Sequence, residues 1–185
     1  MKKLLTLLAL SCIAACASTS TPPATSEALD FPAAWVGAWR GSLDWHTLDG
    51  ESNKVDMQVE IHPLDDPNRF SWTIIYDGEM GRQVRPYELI VRDPERGEYA
   101  IDEKNGIILE ATLLGDTFYS WFEVGGTRIV TRERLEQGPT GDRWIAVEML
   151  SARSEPHTVT GEGIAVSSFL ATTLQRGRLE RIGDE

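Results

Sequence analysis

Cysteine is almost missing from this chain: Cys12 and Cys16 are the only two among 185 residues, and both lie close to the N-terminus. The body of the chain therefore has no thiol for a disulfide, a thiolate metal site or a nucleophilic cysteine, and the fold must stand on its packed core. Basic residues are scarce as well, 18 Lys and Arg against 29 Asp and Glu, for a formal charge of −11. Such a surplus repels phosphate backbones, and no Lys/Arg stripe or Gly-rich phosphate loop offsets it, which argues against nucleic-acid binding. The apolar stretch from Leu4 to Leu10 is too short to span a bilayer. No Gly-x-Ser-x-Gly elbow occurs. The three histidines, His46, His62 and His157, are dispersed, and none shares a helical turn with a carboxylate or another histidine. These absences leave no catalytic residue, metal site or cofactor to expect.

At the N-terminus, Lys2 and Lys3 form a positive region, Leu4 to Leu10 an apolar one, and Ala14 and Ala15 the small residues a signal peptidase requires. Ile13-Ala14-Ala15-Cys16 resembles a bacterial lipobox. That resemblance implies a signal peptide over residues 1–15, cleavage before Cys16, a diacylglycerol thioether on its sulfur and an acyl chain such as palmitate on its new amino group. Several acyl chains, at about 0.8 kcal/mol per buried methylene, make a stable membrane anchor. Ala17 is not the aspartate that such families use for inner-membrane retention, so the expected address is the outer membrane, facing the periplasm, with surface export an alternative. Loss of the two lysines would take the formal charge to −13. Residues 16–30, rich in Ser, Thr, Ala and Pro, read as a flexible tether reaching about 20 Å.

The rest of the chain, residues 31–182, is long enough for one domain with its own core. Asp30 is placed to cap one or two helical turns through Pro32, Ala33 and Ala34. Beyond it, apolar and polar residues alternate with a period of two, broken by turn signals every eight to twelve residues or so. About ten strands are expected, the first over Val36 to Thr47 and the last over Ser167 to Arg176. Asn105-Gly106, Gly115-Asp116 and Gly125-Gly126 read as tight hairpins. A long meander escapes exposed edges by closing, so the expected fold is all-β, an antiparallel up-and-down barrel, with a two-sheet sandwich as the alternative. A loop from Ala152 to Val166 is long enough to cover one end.

Gly37-Ala38-Trp39-Arg40-Gly41, opening the first strand after a helical turn, resembles the Gly-x-Trp signature of lipocalin-like or calycin barrels. In that family an arginine near the end of the last strand packs on the tryptophan. Thr172 to Arg176 is placed to supply it, with Arg176 or Arg178 on the Trp39 indole closing the barrel floor. By length and meander the chain is similar to small bacterial lipoproteins with a calycin-like barrel, and the resemblance implies structural roles for Trp39 and Arg176.

Trp72, Tyr76, Tyr87, Phe118 and Phe122 can be phased toward one interior, where they either fill a solid core or line a cavity for an apolar ligand. Glu88 and Glu148 are the mid-strand carboxylates that could face inward. Three functions follow from these residues. A lipid-anchored envelope protein could bind a small hydrophobic or amphipathic molecule. A solid barrel could bind another protein on its outer face. An inward glutamate could serve a hydrolase or isomerase.

Overall fold

The computed structural model describes residues 30–183, Met80 excepted. Cys16, its signal peptide and the tether lie outside the described residues. A 3-10 turn, Ala33–Trp35, leads into β1 (Gly37–Thr47), β2 (Ser52–Pro63), β3 (Arg69–Gly78), β4 (Gly81–Asp93), β5 (Glu98–Asp102) and β6 (Ile108–Leu114). β7 (Thr117–Val124), β8 (Thr127–Gln137) and β9 (Arg143–Arg153) follow. Then come a small hairpin, β10 (Thr158–Thr160) and β11 (Val166–Ser168), and the last strand, β12 (Ala171–Arg181). Every barrel strand pairs antiparallel with its chain neighbour, and β12 pairs with both β9 and β1, closing a ten-stranded barrel. Closure pairs most of the sheet edge, the advantage that makes a meander of this length stable. No helix among the described residues is long and apolar enough to cross a membrane, which says nothing about strands.

Period-two alternation sets the inside. Trp39 and Leu43 on β1, Met57, Val59 and Ile61 on β2, Leu89 on β4, Tyr99 and Ile101 on β5, and Ile145 and Val147 on β9 are all buried. At one end, here the floor, the chain enters through a knot of aromatic rings. Phe31 stacks on Phe118 at 4.7 Å and meets Trp35 and Tyr99 edge-on at 5.0 Å each. Trp72 lies against Trp35 and Phe118 at 6.1 and 5.7 Å. Edge-on and offset contacts of this kind suit the ring quadrupoles and add to the area they bury. The Trp39 indole N–H donates to the Trp35 carbonyl at 2.8 Å, which satisfies its one buried polar group. Asp30 does not cap the turn with its side chain; its backbone carbonyl accepts from Ala34 N–H at 2.7 Å.

The floor arginine is a correction to the expectation. β12 ends at Arg181, five residues past the expected end. Inward positions on it are odd-numbered, as the fully buried Leu179 shows, so Arg176 and Arg178 point out. Arg176 is exposed on the outer wall, and Arg178 stacks on Trp144 at 3.7 Å. Arg181, paired in register with Trp39, is the residue whose guanidinium lies over that ring, at 5.6 Å, and it donates to the Val36 carbonyl.

The wall is uneven. β5 and β6 are five and seven residues long, against ten to thirteen for β1 to β4. β4 gains its β5 partner only from Glu88, so Gly81 to Tyr87 runs without a ladder on that side. Pro86 sits in this stretch, where a missing N–H costs little. β6 and β7 pair only from Ala111–Ser120 to Leu114–Thr117 and part above that point. The upper wall is thus notched above the β5–β6 hairpin.

Candidate functional site

The aromatic knot fills only the lower half of the barrel. Above it lies a cavity of about 310 Å³ lined by Trp72, Tyr76, Tyr87, Phe118, Phe122 and Ile129, among others. All five aromatic residues singled out from the sequence meet here. Core and cavity proved not to be exclusive: Trp72 and Phe118, 4% and 2% exposed, belong to the knot and form the cavity base, whereas Tyr76, Tyr87 and Phe122 stand in its wall. Cross-strand pairing explains the grouping, since Trp72 faces Tyr87 and Ile74 faces Arg85 between β3 and β4. Phase is kept through Pro86, and the irregularity in β4 comes later, between Val91 and Asp93.

Few polar groups reach this space. Arg85 and Glu103 stand at the notch, and Ser120, Thr131 and Glu133 line the interior. The Arg85 guanidinium lies over the Tyr76 ring at 5.0 Å. Burial pushes the Tyr76 phenol up to about 12, with the Arg85 charge pulling the other way. Burial raises Tyr87 as well, again with the Arg85 charge opposing.

Glu133 is the unexpected member. It follows Ile129 and Thr131 in the inward series of β8 and precedes the buried Leu135. Its register neighbours are Phe118 on β7 and Val147 on β9, both apolar. Its Oε2 is shut off from solvent and has no hydrogen-bond partner, and among the described residues no Lys, Arg or His pairs with it. Burial pushes its carboxyl up to about 8, with the Thr131 side chain opposing through a hydrogen bond.

The two mid-strand glutamates that could have faced inward both lie on the outer wall. Glu88 lies on the outer face of β4, where Lys104 and then Arg69, each donating to it at 2.7 Å, hold its carboxyl below the usual range. Glu148 is outward on β9, at 3.5 Å from Arg132. His46, His62 and His157 are exposed. Among the described residues no group of three His, Cys, Asp or Glu is arranged to hold a metal. The Ala152 to Val166 segment is no simple loop, since β9 extends to Arg153 and the β10–β11 hairpin occupies the rest. None of its residues lines the cavity.

With this geometry in hand, the barrel can be set beside known proteins. No family model matches the chain, and no curated protein matches it in sequence. Among solved structures, the S-type phycobiliprotein lyase CPES from Guillardia theta is similar, with a TM-score of 0.53 and 16% identity. The likeness covers 81% of this chain and 89% of that one. The fold is lipocalin-like. At that identity the likeness concerns architecture, and the site must be judged on its own residues.

Proposed function

We propose that the protein is a lipid-anchored envelope protein that carries a small hydrophobic or amphipathic molecule inside its barrel. The cavity above the aromatic knot carries this reading: an apolar, ring-lined space with a few converging polar groups is the usual form of a small-molecule site. Its volume lies at the low end for such sites, which suits a single ring system or a short chain. The notch above β5 and β6 supplies a way in. The resemblance of Ile13-Ala14-Ala15-Cys16 to a lipobox supports an anchor at Cys16, and Ala17 in place of a retention aspartate supports the periplasmic face of the outer membrane.

The test is a native mass spectrum of residues 17–185 purified from a bacterial periplasm, beside an organic extract of the same sample. A stoichiometric small molecule is expected. A bare mass that persists after exposure to envelope extract would remove the carrier reading. In that event the exposed apolar residues outside the cavity, Trp121 and Ile164 at 72% and 77% exposure, favour a protein partner.

A further inference from the structure

Glu133 is a poor choice for filling a barrel. A carboxyl with one oxygen closed off and unpartnered loses solvation and gains nothing in return, unless something that enters the cavity completes it. Among the described residues the one basic group lining the cavity is Arg85, which lies over the Tyr76 ring and leaves no mark on Glu133. The groups around the carboxyl are Phe118 across on β7, Val147 across on β9, Thr131 on its own strand and, close enough to feel its charge, the Tyr76 phenol on β3. The remaining titratable or charged residues lining the space are Tyr87, Arg85, Glu103 and Glu148, the last with its carboxylate turned outward to Arg132. What is missing beside Glu133 is a cation, and the nearby π-faces of Phe118, Trp72 and Phe122 attract cations too.

We propose that the molecule held in this cavity is an amphipathic amine, its protonated nitrogen seated against the Glu133 carboxylate and its apolar body against Trp72, Phe118 and Phe122. This rests on the carrier reading above and names the ligand's chemistry. The surface supports it, because a formal charge of −11 steers cations toward the protein and repels anions. Burial keeps Glu133 protonated near neutrality, so binding an ammonium displaces that proton to solvent, and the ion pair forms in a space that strengthens it. Affinity for the amine therefore rises as pH climbs through about 8. A neutral ligand that accepts a hydrogen bond from the protonated carboxyl would show the opposite slope.

Three probes with one body and different heads decide the matter: phenethylamine, phenethyl alcohol and phenylacetate, titrated calorimetrically into residues 17–185 and its Glu133→Gln variant. The barrel closes on its own core, so this piece is a folding unit. The expected result is that the amine binds at least about tenfold tighter than the alcohol, with proton release that depends on buffer. Glu133→Gln should remove that preference, and a melting curve confirms that the variant is folded. Equal binding of amine and alcohol, tighter binding of phenylacetate, or a preference that survives Glu133→Gln overturns the amine while leaving a ligand-binding barrel. If no probe binds, the organic extract decides: an amine in it upholds the proposal and any other molecule overturns it. An empty extract overturns the amine and the carrier reading together.

Discussion

At the scale of single residues, Glu133 gives the clearest consequence for stability. Its carboxyl sits at about 8 in the fold against an ordinary 4.5, so the folded chain keeps a proton that the unfolded chain releases. The stability tied to that proton is present in full below about pH 4.5 and is lost as pH rises through about 8. The slope between is up to about 1.4 kcal/mol per pH unit. Glutamine cannot ionise, so the gap in melting temperature between Glu133→Gln and the parent should shift in the variant's favour from pH 5 to pH 8. A gap that stays constant over that range would show that Glu133 titrates normally. The same residue marks the limit of what sequence reveals. Trp72, Tyr76, Tyr87, Phe118 and Phe122 announce their direction because apolar rings on alternating positions have one place to go. Glu133 lies in Arg132-Glu133-Arg134, a run that reads as solvated surface. Only the alternation Ile129, Thr131, Glu133, Leu135 betrays it.

At the scale of elements, the seam between β1 and β12 brings the two ends of the barrel chain together with two inward glycines. A Cβ on Gly41 would strike the Arg178 carbonyl, and one on Gly177 would strike the Ser42 carbonyl and come within 2.8 Å of Leu43 Cδ2. Backbone is on the receiving end in both cases, so relief requires the strands to part. Gly177→Ala should cost about 2 kcal/mol, read as a lower urea midpoint with an unchanged slope. Full stability in that variant would show that the seam is looser than its geometry. Sequence made the strands and hairpins legible through period two and through Gly106, Gly115, Gly125 and Gly126, all at positive φ. It misplaced the last strand because β11 takes the residues that looked like its start, and that shift moved the floor arginine from Arg181 to Arg176.

At the scale of the whole molecule, closure was legible because ten short strands with brief connections have few other ways to hide their edges. The half-filled interior was not, since the same rings fit a plug and a wall, and only the entry of Phe31 at the floor decides how far the plug extends. Cys16→Ser, which removes the sulfur the proposed lipid requires, should release the protein from the membrane fraction into the soluble periplasmic fraction. Continued sedimentation with membranes would mean that the attachment lies elsewhere. The described chain begins at the sealed end of the barrel, beside Phe31, and the notch lies at the other end. Under the anchor and carrier readings proposed above, attachment through residues before Asp30 would join the bilayer at the foot of the cup and leave its mouth free for cargo from the water beyond.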